Sequence, residues 1–225
     1  QFRRDAQTHE LIIAGNSDLH VEVSLARMKK KFGVEAILHT PKVPYFETIK
    51  KKAEAQGRHK KQTGGHGQFG DCWIRLEPLQ RGSGFEFKDE IHGGSIPKNF
   101  IPSVEKGIQE ARMHGFLAGY PVVDFRVVLF DGSYHTVDSS DIAFKIAGSM
   151  GFKKAMEEAG ATLLEPIMNV EISAPEQYMG DIMGDLNSRR GRVQGMTSQG
   201  SQQLIKAQVP MSELLTYAST LKSIT

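Results

Sequence analysis

Residues 57–70 have the sequence GRHKKQTGGHGQFG, and this stretch decides how the middle of the chain folds. It contains five glycines behind a run of basic residues, and this glycine content predicts a loop and not a regular element. In the residues that follow, Cys72, Ile74 and Leu76 alternate with more polar neighbours, which is typical of a half-buried strand. The sequence therefore predicts a long β-hairpin with a glycine-rich tip.

The next hundred residues alternate between strand and helix patterns. Residues 85–91 are predicted to form a strand, and Pro97 to open a helix that ends at Gly115. The apolar alternation of residues 123–129 predicts another strand, which runs into a second exposed loop at residues 131–135.

The helix that follows this second loop has polar residues at its start. Ser139 or Ser140 is predicted to cap it, and Asp138 and Asp141 suit a helix N-terminus better than acid–base chemistry. The predicted buried stripe of this helix consists of Ile142, Ile146 and Met150.

The two ends of the chain predict smaller units. Before Pro41 the pattern is strand, helix and strand, with a helical stop at Gly33 and the second strand at residues 34–38. Residues 164–225 predict strand, helix, strand, strand and helix, one strand short of a βαββαβ unit. We therefore expect an exposed sheet edge there, and domains at residues 1–41, 42–162 and 163–225.

Composition excludes several classes of protein. The 225 residues include 39% hydrophobic and 24% charged residues, which excludes a disordered or low-complexity chain. A single cysteine, Cys72, leaves no intrachain disulfide and no cysteine-based zinc site. Because no apolar run approaches the roughly 18 residues of a membrane span, we expect a soluble, cytoplasmic protein.

No catalytic or metal-binding motif emerges from the sequence. The Walker pattern G-x-x-x-x-G-K-[ST], H-E-x-x-H and G-x-S-x-G are all missing. His59 and His66 lie on the predicted hairpin, but no third ligand has suitable spacing, so a metal site is not expected.

Local charge is the stronger functional signal, because 28 Lys and Arg against 26 Asp and Glu give a net charge of only +2. Residues 50–61 form a basic stem that leads into the glycine-rich tip, and such a run is either a solvated face or an RNA contact. A second cluster, Arg189, Arg190 and Arg192, either compensates a helix dipole or contacts RNA.

Five longer motifs resemble one family, the bacterial translation elongation factor G family. The stretch QTGGHGQFG at residues 62–70 resembles the first tip loop of its domain IV. The stretches GYPVVD at 119–124 and DGSYHTVDSS at 131–140 resemble the second loop. The stretches LEPIM at 164–168 and YMGDIMGDLNSRRG at 178–191 are similar to its domain V. These motifs keep the family's order along essentially the whole chain.

The resemblance implies an α+β, multidomain C-terminal fragment of such a factor. It implies the latter half of a ferredoxin-like domain III, and a domain IV like the second domain of ribosomal protein S5, with a left-handed βαβ crossover. A ferredoxin-like domain V that lacks its last strand would follow. The family's GTP-binding domain lies upstream, so the fragment itself is expected to be no enzyme and to hold no cofactor. The intact protein is expected to be a ribosome-dependent GTPase that uses GTP and Mg²⁺.

The resemblance also implies a role in translocation. The tips of domain IV would enter the small-subunit decoding site and contact the tRNA–mRNA duplex, with His135 as the main contact. The implied tip contacts are Gln62, Thr63, Gly64, Gly65, His66, Gly132, Ser133, Tyr134 and His135. The implied rRNA phosphate contacts, on both subunits, are Lys50, Arg58, Lys60, Lys61, Arg189, Arg190 and Arg192. We expect a monomer with no membrane partner.

One motif departs from the family pattern. Residues 15–20 are GNSDLH, where the family usually has Gly-Met-Gly-Glu-Leu-His, which suggests a divergent second copy of the factor. Three alternatives stay open at this stage. They are a recycling or ribosome-protection GTPase, a small-molecule kinase that shares the domain IV fold, and a stand-alone RNA-binding module.

Overall fold

The computed structural model describes residues 1–62 and 67–225. They divide into two compact units, one of Tyr45–Leu164 and one that combines Gln1–Pro44 with Glu165–Thr225. Mixed α and β elements with several small sheets make up both units, as the sequence predicts.

The chain begins with a two-stranded antiparallel sheet of β1 (Phe2–Arg4) and β2 (Leu11–Ile13), followed by α1 (Asp18–Phe32). Helix α1 ends at Gly33, whose φ of 68° is left-handed, so the predicted helix and its stop are confirmed. The strand predicted at residues 34–38 is wrong. These residues are exposed and form no ladder, because no described strand lies beside them to pair.

The unit Tyr45–Leu164 contains a four-stranded sheet in the order β4-β5-β7-β6 and a separate pair of β3 and β8. Its strands are β3 (Phe46–Thr48), β4 (Ala53–Lys61), β5 (Gln68–Pro78), β6 (Phe85–Asp89), β7 (Phe125–Ser133) and β8 (Thr162–Leu164). Its helices are α2 (Ile101–Met113) and α3 (Asp141–Glu158). Strands β6 and β7 are parallel, and α2 connects them as a βαβ unit.

The predicted hairpin is confirmed, but its regular part is longer than predicted. Strands β4 and β5 pair from Ala53 opposite Leu76 to Lys61 opposite Gln68, so most of the glycine-rich stretch is strand. Strand β7 likewise continues through the predicted loop as far as Ser133. Since β5 has a partner on both sides, ladder hydrogen bonds outweigh the weak strand preference of glycine.

Glycines in this stretch allow α3 to lie directly on the hairpin. A Cβ on Gly57 would collide with the carbonyl oxygen of Ala147, and one on Gly70 would lie 2.5 Å from the carbonyl oxygen of Ala143. The sequence-based view of these glycines as loop residues is therefore wrong, because they are packing residues. The buried residues of α3 are small, aromatic or, in one case, methionine, namely Ala143, Phe144, Ala147, Gly148, Gly151, Phe152, Ala155 and Met156.

The stripe predicted to be buried on α3 is also wrong. Ile142 is 65% exposed and Met150 is 46% exposed. Where α3 touches the strands at backbone distance it carries Ala143, Ala147 and Gly151, and Ile142 and Met150 lie outside that contact face.

A buried carboxylate ties β3 to the loop after α2. The side chain of Glu47 is fully buried. It accepts backbone hydrogen bonds of 2.7–3.2 Å from Phe116, Leu117, Ala118 and Tyr120. Burial acts to raise the pKa of Glu47, but these N–H donors lower it by more, so the pKa lies below its ordinary value of 4.5.

The remaining chain completes the other unit. It contains β9 (Ile167–Pro175), α4 (Met179–Ser188), β10 (Arg192–Gln199), β11 (Gln202–Pro210), α5 (Met211–Leu214) and α6 (Tyr217–Ile224). The sheet order is β10-β11-β9, and the predicted strand, helix, strand and strand are confirmed, whereas the single final helix that was predicted is two helices, α5 and α6. Among the described residues β9 pairs only with β11.

Replacing Gly57 tests the close packing of α3 on the hairpin. We expect Gly57→Ala to lower the free energy of unfolding by about 3 kcal/mol, because the methyl group meets backbone atoms that cannot rotate away. Chemical denaturation followed by circular dichroism measures it. Gly195→Ala is the control, since Gly195 also lies in a strand but has open space around its Cβ position. Equal losses in both variants would contradict the packing role.

Replacing Glu47 tests the carboxylate anchor and its pH dependence. Glu47→Gln puts an amide N–H₂ against backbone donors, and we expect a loss of about 3 kcal/mol at pH 7. Because the folded-state pKa is lowered, the contribution of Glu47 is complete above pH 4.5 and is lost as the pH falls through that lower pKa. Urea unfolding at several pH values should show the difference between wild type and variant narrowing below pH 4.5.

The control for this pH dependence is Glu157→Gln, at an exposed position of α3 in the same unit. This variant should follow the wild type at every pH. A difference for Glu47→Gln that stays constant down to acidic pH would rule out ionisation of Glu47 as its source.

Candidate nucleic-acid interface

The described ends of the two predicted tip loops lie at the same end of the four-stranded sheet. Strand β5 pairs with β4 on one side and with β7 on the other, so the end of β4 at Lys61 and the start of β5 at Gln68 lie at the end of the sheet where β7 runs into α3. Two backbone groups of the first segment bond to Asp138. The Gly67 N–H donates to Oδ1 at 2.9 Å, and the Phe69 N–H donates to the main-chain oxygen at 2.8 Å.

The predicted tip contacts fall into three groups. Gln62, Tyr134 and His135 are exposed at the tip. Gly132 and Ser133 belong to β7, opposite Cys72 and Asp71, and the Ser133 hydroxyl donates to Asp71 Oδ2 at 2.7 Å. The predictions for Thr63, Gly64, Gly65 and His66 lie outside the described residues.

The ring of His135 is held by backbone groups of its own loop. Its Nδ1 accepts from the N–H groups of Val137 at 3.3 Å and Asp138 at 3.1 Å. Its own backbone N–H donates to Ser139 Oγ at 2.9 Å. Because Nδ1 is an acceptor in this arrangement, the neutral ring carries its proton on Nε2. The side chain is 54% exposed, so that donor can reach a ligand.

The four polar residues before α3 divide into two pairs with different roles. Ser140 is the N-cap, accepting from the Ala143 N–H at 3.3 Å, and Asp141 lies in the first turn. Asp138 and Ser139 instead bind the start of β5, where the Ser139 hydroxyl donates to the Phe69 carbonyl at 3.0 Å. The helix-terminus interpretation is therefore wrong for Asp138 and Ser139. In the sequence, only their place in a run of polar residues singled out Asp138 and Ser139.

The residues of the predicted basic stem lie in two separate clusters. Lys50 lies at the end of α3, where its N–H donates to the Ala159 carbonyl at 3.1 Å. Lys60 and Lys61 are the last two of the nine residues of β4, a strand that spans about 30 Å. Within the described residues, no carboxylate lies within 4.0 Å of Lys60, Lys61 or Arg58, and the Arg58 guanidinium lies 5.8 Å from the ring centre of Phe69. These three side chains leave unpaired positive charge near the tip.

Arg189 in the second predicted cluster has protein partners. Its guanidinium donates to Asp185 Oδ2 at 2.8 Å, to the Glu213 carbonyl at 3.0 Å and to Thr220 at 3.2 Å. It also lies 5.0 Å from the ring centre of Tyr217. The hydrogen bond to Asp185 raises the pKa of Arg189.

Arg190 is paired too, whereas Arg192 is not. Arg190 contacts Glu165 at 2.6 Å and Glu213 at 3.1 Å. Its left-handed φ of 59° belongs to the end of α4, where the Gly191 N–H donates to the Leu186 carbonyl at 2.9 Å. Arg192 is exposed at the start of β10, with no carboxylate within 4.0 Å in the described part of the chain.

The described residues offer no second type of site. Residues 1–62 and 67–225 contain no group of three His, Cys, Asp or Glu side chains placed to hold a metal ion. Burial raises the pKa of the Cys72 thiol to about 12, and the adjacent Asp71 adds to this, so the thiol is no nucleophile at neutral pH. In the same residues, no helix is both long and apolar enough to cross a membrane.

Comparisons with known proteins agree with the sequence motifs. Family models match residues 1–40 as elongation factor G, domain III, residues 41–160 as elongation factor G, domain IV, and residues 162–225 as elongation factor G C-terminus. Elongation factor G of Aquifex pyrophilus is 57% identical over 221 residues, which are 98% of this chain and 32% of that protein.

A solved structure gives the same result for the fold. A crystal structure of a Thermus thermophilus protein matches with a TM-score of 0.88 and 47% identity, over 100% of this chain and 34% of the other. The chain thus spans about a third of the length of these two relatives. Because the domain IV model alone covers more than half of the residues, the chain belongs to the elongation factor G family.

Proposed function

We propose that this chain is the part of a ribosomal translocation factor that moves tRNA and mRNA during elongation. Its three family segments, residues 1–41, 42–162 and 163–225, act as domains III, IV and V of a longer, cytoplasmic and monomeric protein. In that protein GTP, with Mg²⁺, is bound and hydrolysed by an upstream domain. The observation that carries the proposal is the His135 ring, held by its own loop beside the end of the β4–β5 hairpin.

The tip has the chemistry that a short RNA duplex requires. Paired RNA displays 2′-hydroxyls and base edges in a shallow minor groove, and proteins recognise it mainly by shape and by hydrogen bonds. A fixed Nε2–H on His135 and exposed amide and hydroxyl groups on Gln62 and Tyr134 provide donors for that surface. We propose that these groups bind the tRNA–mRNA duplex in the decoding site and prevent its return.

Unpaired charges supply a second, less specific contact. Arg58, Lys60 and Lys61 near the tip and Arg192 in the other unit are proposed to bind rRNA phosphates of the small and the large subunit. Arg189 and Arg190 contribute less to RNA binding in this proposal, since acidic partners already compensate their charge.

Variants of His135 test the proposed duplex contact. His135→Ala in the full-length factor should slow single-round translocation about tenfold, the effect of losing one hydrogen bond in the transition state. His135→Gln retains an outward N–H near the Nε2 position and should recover part of the rate. His135→Asn keeps an acceptor near Nδ1 but loses the outward donor, so it should behave like alanine.

Thermal unfolding should change little in these three variants, because the His135 side chain is half exposed. GTP turnover should also change little, because GTP is proposed to be hydrolysed by an upstream domain. His114→Ala, at an exposed histidine at the end of α2, is the matched control and should translocate normally. A normal translocation rate in His135→Ala would remove this residue from the mechanism.

Variants of Arg189 and Arg192 distinguish an arginine with a structural role from an arginine with an RNA-binding role. Arg189→Ala should lower the free energy of unfolding by about 2 kcal/mol, because Asp185 is left without its partner. Arg192→Ala should leave stability unchanged but weaken ribosome binding and reduce its salt dependence. Chemical denaturation and ribosome co-sedimentation at two salt concentrations measure the two effects. Unaltered co-sedimentation of Arg192→Ala would exclude it as a phosphate contact.

A further inference from the structure

Asp138 contacts both halves of the tip. On one side, its Oδ1 accepts from the Gly67 N–H at 2.9 Å and its carbonyl accepts from the Phe69 N–H at 2.8 Å. On the other side, its N–H donates to His135 Nδ1 at 3.1 Å. A single residue therefore connects the end of the first loop with the ring of the second.

Stabilisation of α3 does not explain this arrangement. Ser140 already caps the helix, and Asp141 supplies the acidic side chain of the first turn. The Asp138 carboxylate is directed instead to Gly67, and a Cβ on Gly67 would lie 2.9 Å from its Oδ2. Glycine at position 67 is thus what allows the carboxylate to reach the backbone N–H.

We propose that Asp138 is the positioning residue of the tip. Its carboxylate fixes the backbone at Gly67 while its main chain fixes the His135 ring, so that these two segments keep one relative position when they meet paired RNA. Without this connection Gly67 and the His135 loop move separately and must be ordered on binding. The inference rests on the proposed role of His135 in translocation and adds a residue that makes no RNA contact itself.

The experiment is a double-mutant cycle for translocation in the full-length factor. The variants are Asp138→Ala, His135→Ala and the double variant, with Asp141→Ala as the matched control of equal charge on the same segment. Asp138→Ala should slow translocation about tenfold, the consequence of losing a hydrogen bond to a charged acceptor. The double variant should be no more than about twofold slower than His135→Ala, because one residue acts through the other.

A conservative variant separates the hydrogen bond from the charge. Asp138→Asn keeps an oxygen for the Gly67 N–H and should stay within about threefold of the wild type, whereas Asp138→Leu should resemble alanine. If asparagine were as slow as leucine, charge would be the cause and the positioning role would be wrong. Thermal unfolding of each variant identifies any that fail to fold.

Amide hydrogen exchange tests the connection without relying on translocation. In the full-length factor, the peptide covering residues 67–70 should exchange faster in Asp138→Ala than in the wild type or Asp141→Ala. Unchanged exchange there, or additive losses of about a hundredfold in the double variant, would overturn the inference. If His135→Ala translocated normally while exchange at residues 67–70 still rose, the proposed function would fail but the connection would stand.

Discussion

Backbone contact between α3 and the β4–β5 hairpin is the constraint on which the architecture of the unit Tyr45–Leu164 depends. Gly57 and Gly70 lie where any side chain would meet helix backbone, and Gly151 provides the corresponding opening on the helix opposite Gly57. Such an approach brings many atoms within van der Waals range, and the resulting attraction is large only because it is summed over a whole interface. The two glycines lie on paired strands, with Gly57 opposite Cys72 and Gly70 opposite His59, so the helix touches both strands of the hairpin at neighbouring positions.

This packing explains how a stretch rich in glycine contributes to two regular strands. A free hairpin with so many glycines would lose much conformational entropy on folding, and its strands would pair weakly. Here the helix covers one face, and the ladder from Ala53 to Lys61 continues opposite β5. The cross-strand ladder of β5 and β7 then carries the order to Ser133, next to His135. Tyr134 and His135 therefore directly follow a strand whose regular pairing comes from contacts within the unit.

Periodicity in the sequence predicted most of the helices and strands, because spacing alone determines which face a regular element can bury. Periodicity could not distinguish a glycine that allows close packing from a glycine that allows a turn, because the sequence shows only that a glycine is present. Gly57 and Gly70 were misassigned for that reason, and Ile142 and Met150 were placed in the core because their spacing is helical. The strand predicted at residues 34–38 is wrong for a different reason. Their β propensity is real, but a strand forms only where a neighbour supplies hydrogen-bonding partners.

The sequence shows how many charged residues each segment contains, but it does not show which of them are paired with an opposite charge. Lys50 and Lys60 belong to one basic run in the sequence, yet a whole strand separates them in space, and Arg189 and Arg192 differ in partners although they are close neighbours in the chain. Acidic residues from distant segments decide which cation is neutralised, and no local pattern encodes them.

Asp138 illustrates the same limit for a carboxylate. Its position before a helix suggested a dipole role, while its partner, the Gly67 N–H, lies 71 residues earlier in the chain. Long-range pairing of this kind converts a set of polar loop residues into a surface of fixed geometry. A surface whose donors are already held in place binds with less loss of entropy than two loops that must be ordered on contact.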